Sequence, residues 1–297
     1  MTEGAHPKRP DLEELLSLME GADAILIGGG SGLSSSCGYD HYRWSPWFEE
    51  RLAPFIEHYG FTSPFAGFYH LFSDYESQWA YYAAYMKALY DAPTGEAYER
   101  LQELIGDKPH FVLTTNVDGQ FQRVFDPSDV LAFQGDFRYV QCSQPCHDAI
   151  YDAHDAVAGI VAATSGDLRI PSELVPRCPE CGRVMVPWVR DDTFLEGQAW
   201  KEQSEHYRGF QERWAMPDSD VQLLLLELGV GEMTPGVIKM PFWTMAKKVP
   251  KASYVSLNIS TTKPPLQLGD KAIHIKADIR EALSGLAALK AMDGEQR

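Results

Sequence analysis

Long hydrophobic runs and basic clusters are both scarce in this chain of 297 residues. The longest apolar stretch, Leu223 to Leu226 and its flanks, falls far short of the roughly 20 residues needed to cross a bilayer, which argues against a membrane-spanning helix or membrane partner. Lys and Arg number 26 against 42 Asp and Glu, a formal net charge of −16, so a nucleic-acid partner, which needs clustered cations, is excluded. The anion that suits such a chain is one held by backbone amides, of which a nucleotide pyrophosphate is the usual example. The start, Met1 through Pro10, has neither the apolar core nor the small-residue cleavage site of a secretory signal, and the expected location is cytoplasmic. Asn258-Ile259-Ser260, formally a glycosylation acceptor, carries no weight there. Cysteine is sparse as well, five in all, and in a reducing compartment these are not expected to form disulfides.

What is present is a well-furnished globular chain: 44% hydrophobic residues against 23% charged ones place it far from disorder. Leu12, Leu15, Leu16 and Met19 recur at helical spacing behind Asp11, which reads as the N-cap of a first helix. Ala24 to Ile27 is a continuous apolar run closed by three glycines, as a parallel strand buried on both faces should be. Similar strands are expected at 110–114, 130–133, 221–227, 253–258 and 271–275, with Asp278 capping a last helix through Leu289. Aromatic residues crowd the stretch from Trp44 to about Leu104, helical from Tyr75 to Leu89, and read as core packing of a helical module. The fold class is therefore α/β, a Rossmann-like parallel sheet with helices on both faces, plus the helical module at about 41–107.

Residues 138–190 differ, with four of the five cysteines and few strong helix signals. Cys142-x3-Cys146 and Cys178-x2-Cys181 make two close pairs, the arrangement that suits a tetrahedral zinc ion on four thiolates. Four protein ligands leave no position for water, so the zinc is expected to be structural. Gly182 follows the second pair, as in a knuckle turn, and Cys37 stands apart as a small buried residue.

The loop Gly28-Gly29-Gly30-Ser31-Gly32-Leu33-Ser34 follows a strand directly, where bare backbone can approach a pyrophosphate. A plain turn would look the same. The acidic residue some 20 positions on that would mark the adenine ribose is not obvious, which points away from ordinary dehydrogenases.

Thr114-Thr115-Asn116-Val117-Asp118-Gly119 ends the second strand, and Phe133-Gln134-Gly135 ends the third. With the glycine loop, the cysteine pairs and the late strand residue Asn258, this order resembles the sirtuin superfamily from about residue 22 to about residue 289. Two departures matter. Gln134 stands where the sirtuin deacylases carry a catalytic His, and a carboxamide cannot take up a proton. Val189 to Phe194 also replaces the Phe-Gly-Glu stretch that clamps an acyl-lysine peptide. Together with the stretch Gly229 to Gly236, these features resemble the macrodomain-linked, class M sirtuins.

That resemblance implies an NAD-dependent protein ADP-ribosyltransferase, with a lipoyl-bearing carrier related to the glycine-cleavage H protein as acceptor. It implies NAD and structural zinc as cofactors, an NAD-binding domain of residues 1–137 and 191–297, and a zinc module of residues 138–190. Asn116 and Asp118 are then expected in the nicotinamide and ribose pocket, Asp118 near the carboxamide, and Gln134 on the ribose hydroxyls. Gly28, Gly29, Gly30, Ser31 and Ser34 are expected at the pyrophosphate, Gly229 and Gly231 elsewhere on the cofactor, and Asn258 on its adenosine side. A deacylase tolerating Gln134, an NAD glycohydrolase and a silent NAD sensor are the competing readings. His41, His110 and His274 have no evident partner and read as ordinary surface or core histidines.

Overall fold

The computed structural model describes residues 6–295, with the side chains of 293–295 left out. Among the described residues nine strands follow one another: β1 (Ala24–Gly29), β2 (His110–Thr114), β3 (Val130–Ala132), β4 (Gly135–Cys142), β5 (Tyr151–Asp152), β6 (Met185–Val189), β7 (Leu223–Leu228), β8 (Ser253–Asn258) and β9 (Ala272–Lys276). Ten α-helices accompany them: α1 (Arg9–Gly21), α2 (Ser31–Ser36), α3 (Pro46–Tyr59), α4 (Pro64–Phe68), α5 (Tyr75–Asp91), α6 (Glu96–Ile105), α7 (His154–Ala163), α8 (Gln198–Trp214), α9 (Lys239–Lys248) and α10 (Ile279–Glu295).

Six strands form one sheet in the order β3-β2-β1-β7-β8-β9, every neighbouring pair parallel. The chain builds outward from β1 to β3, then crosses back to lay β7 on the other side of β1. The crevice beyond the carboxyl ends of β1 and β7 is thus the topological switch point, where open α/β sheets hold ligands.

Burial on both faces explains the apolar strands. Ile25, Ile27, Leu224 and Leu226 face a core closed by Leu12, Leu101 and Leu283 of α1, α6 and α10. Ala24, Leu26, Leu223 and Leu225 face a second core closed by Phe210 of α8 and Phe242 of α9. Alternate residues point to opposite faces of a strand, so each strand must be apolar throughout.

A third core joins the aromatic helices to the cysteine-bearing segment. Phe48, Trp79, Tyr81 and Tyr85 pack with Val140, Val157, Ile160 and Met185, and the Trp79 indole N–H donates to the Met185 carbonyl at 3.2 Å. The strands here, β5-β4-β6, form a small antiparallel sheet. The expectation of little helix in this segment is corrected by α7. Its Val157 and Ile160, one turn apart, dock beside α5, and this tertiary burial supplies what local signals lacked.

The first helix also starts earlier than Asp11. Lys8 is its N-cap and Pro10 lies in the first turn, where a missing N–H costs nothing, so Asp11 stands inside the helix near its positive end. Asp278 does cap α10, accepting from the Glu281 amide at 3.0 Å. Among the described residues no helix is long and apolar enough to cross a membrane.

Candidate active site and metal centre

At the switch point two loops meet backbone to backbone. A Cβ on Gly30 would lie 2.6 Å from the Val230 Cα, and one on Gly32 would lie 2.8 Å from the Gly229 Cα. Gly229 itself has φ +63° and would place a Cβ 2.5 Å from the Leu33 nitrogen. The Gly30 and Gly32 amides donate to the Leu228 and Gly229 carbonyls, each at 2.9 Å. Gly229→Ala is therefore expected to lower stability by about 3 kcal/mol or more, since left-handed strain and a backbone clash add. A thermal melt should show a fall of about 6 °C or more.

This geometry changes the reading of the glycine loop. Gly28 and Gly29 lie inside β1, where a Cβ would strike Phe242 and Phe121 respectively, so their bareness serves helix and loop packing. The Gly30 amide is already spent, and Ser34 is wholly buried. Of this loop, Ser31 lines the cavity.

The cavity, about 290 Å³, opens between the switch point and the aromatic helices. Ser31, His41, Asn116, Gln134, Arg190 and Gly231 contribute to its wall. Asp118, Ser34, Gly229 and Asn258 do not. Asn258 instead braces the β7 loop, donating to the Val230 carbonyl at 3.0 Å.

Beneath the wall runs a buried hydrogen-bond network. Asn116 Nδ2 donates to the Gly30 carbonyl at 3.1 Å, to the Tyr98 hydroxyl at 3.0 Å and to Ser34 Oγ at 3.2 Å. Its amide nitrogen is held by Thr114 Oγ1 at 3.0 Å. Ser34 Oγ donates in turn to Asp118 Oδ2 at 2.5 Å, and the Gln120 amide donates to Asp118 Oδ1 at 3.1 Å. Asn116 and Asp118 thus make the turn that such residues favour, and tie it to the glycine loop.

Burial pushes the Asp118 carboxyl up, but the His41 ring, the Ser34 hydroxyl and the Gln120 amide together outweigh it and hold the group below the usual carboxylate range. Asp118 is therefore ionised at neutral pH. The stabilisation it gives is present above the unfolded carboxylate range and is lost as pH falls through its lowered value.

Three members of the site have no signal in the sequence. His41 is 9% exposed, a core histidine, with Nε2 3.5 Å from Asp118 Oδ2 and Nδ1 2.7 Å from the Tyr85 hydroxyl, partners that the sequence did not show. Tyr98 reaches the network from α6. Arg190 follows β6, with Nε donating to the Phe133 carbonyl at 3.0 Å and Nη1 to Glu196 at 2.6 Å. Its guanidinium lies over the Phe133, Phe194 and Trp200 rings. Its Nη2 is buried with no hydrogen-bond partner. A cation on the cavity wall suits an anionic dinucleotide.

The four cysteines converge. Their sulfurs all lie within 4.8 Å of one another, with Cys142 to Cys181 at 3.7 Å and Cys146 to Cys178 at 3.6 Å. A zinc tetrahedron with bonds of about 2.3 Å has edges of about 3.8 Å, so the cluster fits the ion, and these separations are far too long for disulfides. Zinc there would crosslink the end of β4 to the turn before β6 as a structural ion, and no chemistry runs through it. Gly182, at φ +73°, closes that turn with its amide on the Cys178 carbonyl at 2.8 Å. His147 Nδ1 lies 3.2 Å from Cys146 Sγ, with Nε2 2.7 Å from the Tyr151 hydroxyl, a partner that orients the ligand shell.

This sheet, switch-point cavity and four-cysteine cluster define an NAD-binding fold of the sirtuin class. A solved Sir2 homologue in complex with NAD has a TM-score of 0.61 and 16% identity, covering 98% of this chain and 97% of that one. A Sir2 mutant bound to a p53 peptide and NAD gives 0.62 and 17%, covering 95% and 99%. No family model matches the chain. A protein ADP-ribosyltransferase of Staphylococcus aureus is 32% identical over 276 residues, covering 92% of this chain and 85% of its own length. A probable bifunctional ADP-ribose hydrolase/ADP-ribosyltransferase of Fusarium oxysporum f. sp. cubense is 30% identical over 234 residues, or 75% of this chain, which spans 38% of that protein's length. The chain belongs to the sirtuin-type, NAD-dependent protein ADP-ribosyltransferases.

Proposed function

We propose that this chain transfers ADP-ribose from NAD to a protein in the cytoplasm, releasing nicotinamide, and that a lipoyl-bearing carrier related to the glycine-cleavage H protein is the acceptor. The observation that carries the reading is the cavity wall, to which two carboxamides, Asn116 and Gln134, and the Arg190 side chain all contribute. NAD supplies an activated ribose, and positioning provides most of the rate once its leaving group is held.

Asn116 is assigned to the nicotinamide and ribose end, Gln134 to the ribose hydroxyls, and Ser31 with Gly231 to the pyrophosphate. Asn258 is assigned to the adenosine side. Gly28, Gly29, Gly30, Ser34, Asp118 and Gly229 support that surface from below. In this reading residues 1–137 and 191–297 bind the nucleotide, and residues 138–190 form a zinc module against it.

The test incubates zinc-loaded protein with labelled NAD and the lipoylated carrier, following nicotinamide release and the carrier's mass. A carrier heavier by one ADP-ribose unit is expected. Nicotinamide release with an unmodified carrier would assign the acceptor's place to water or to another protein. No release at all would overturn the transferase reading in favour of a sensor.

A further inference from the structure

A transferase must remove a proton from any acceptor that attacks through O–H or N–H, and Gln134 cannot receive it. On the same cavity wall stand Tyr85 and His41, with the Asp118 carboxylate directly behind the imidazole. We propose that Tyr85, His41 and Asp118 form a proton relay that deprotonates the acceptor, an inference that rests on the transferase reading.

The geometry assigns the parts. Asp118 is acceptor-only when ionised, so the His41 nitrogen facing it carries the hydrogen, and Nδ1 is left as a lone pair 2.7 Å from the Tyr85 hydroxyl. Tyr85 then donates to His41. As the acceptor's oxygen bonds to the ribose carbon and the bond to nicotinamide breaks, the acceptor proton passes to Tyr85 Oη. The Tyr85 proton passes to His41 Nδ1. The imidazolium so formed faces a carboxylate already held ionised, and nicotinamide leaves with the electron pair of the broken bond. Charge and atoms balance without a further reactant.

Two observations favour a relay over a packed histidine. The ring packs against the Phe48 ring at 5.5 Å and the Tyr85 ring at 6.1 Å with one nitrogen on each relay partner, Nδ1 on the Tyr85 hydroxyl and Nε2 facing Asp118. Burial pushes the Tyr85 phenol well above its ordinary range, so it cannot rest as a phenolate and gives its own proton to His41 only as it takes the acceptor's. Tyr85 is the catalytic residue of the three, the one placed against the acceptor. Asp118 is a positioning residue.

The experiment compares two nucleophiles on the full, zinc-loaded chain. Methanol carries a proton that must leave, whereas isotopically labelled nicotinamide attacks through a ring nitrogen that carries none. In His41→Gln, transfer to methanol is expected to fall by about 100-fold or more relative to exchange of labelled nicotinamide into NAD on the same sample, the usual contribution of general acid–base catalysis. Tyr85→Phe, which keeps the ring and loses the hydroxyl, should show the same split and serves if the first variant does not fold. Loss of exchange and methanol transfer together would overturn the relay and leave His41 a structural residue. Unchanged transfer would overturn it as well. A wild-type protein that exchanges nicotinamide yet transfers to neither methanol nor the carrier would overturn the transferase reading, and the relay with it.

Discussion

Asn116→Ala is expected to lower nicotinamide release and ADP-ribose transfer by about 100-fold or more while the chain still folds. The reasoning starts from where the side chain spends its hydrogen bonds. All of its donors hold the glycine loop and the buried hydroxyls of Tyr98 and Ser34. Truncation takes one bond from each of these buried acceptors, which keep their bonds to Leu33 and to one another, at a cost of about 1–3 kcal/mol. That is a tolerable loss for a domain of this size. It is not tolerable for the site, because a shift of about 1 Å in a positioning group can cost on the order of 100-fold in rate. A melt and a nicotinamide assay on the same sample separate the two effects. A folded variant with full turnover would remove Asn116 from the site.

Removing the metal should have the largest effect on folding. Cys178→Ser, or chelation of the wild-type protein, is expected to abolish zinc binding, which zinc analysis of the intact protein should find at one ion per chain, and to unfold the cysteine-bearing segment. Structural zinc contributes about 10–16 kcal/mol in small zinc domains, as much as the whole stability of an ordinary domain. The damage should reach the cavity, because Tyr85 and Phe137 line it and belong to the core that Cys142 and Cys178 complete. Acid should act in the same direction as chelator. The Arg183 backbone amide, followed by the neighbouring thiols, brings Cys181 down to about 6, whereas Cys146 is pushed up to about 12, first by Cys181. The lowered Cys181 contributes fully to the fold above the ordinary thiol range and loses that contribution as pH falls from there through about 6. Cys146 needs the cation to become a thiolate at all. Zinc retention that is indifferent to pH between 7 and 5 would count against four thiolate ligands.

Much of this protein is legible in its sequence because the physics involved is local. A strand buried on both faces must be apolar at every position, and the runs at Ala24 and Leu223 show it. Cysteine pairs three or two residues apart announce their metal for the same reason. The order Asn116, Asp118, Gln134 places those residues on consecutive strand ends. What could not be read depends on approach across space. His41 and Asp118 meet 77 positions apart, and Ser34 and Asp118 meet 84 positions apart, with no periodic pattern to reveal either. Three successive glycines look alike in the sequence, although Phe242, Phe121 and Val230 give each of them a different neighbour. Arg190 gives no hint until the Phe133, Phe194 and Trp200 rings assemble around it.

The contact between Gly30, Gly32 and Gly229 has a consequence for how the cavity can move. With no side chain between them and two backbone hydrogen bonds across them, the ends of both loops shift as one piece or not at all. Beyond Val230 the situation reverses, since Gly231 and Gly236 have open space around them, and Met233 between them is 68% exposed. The cavity therefore has a floor locked backbone to backbone, while its rim at Gly231, Met233 and Thr234 lies outside that locked contact, so the part of the wall that meets an acceptor is built separately from the part that holds the nucleotide.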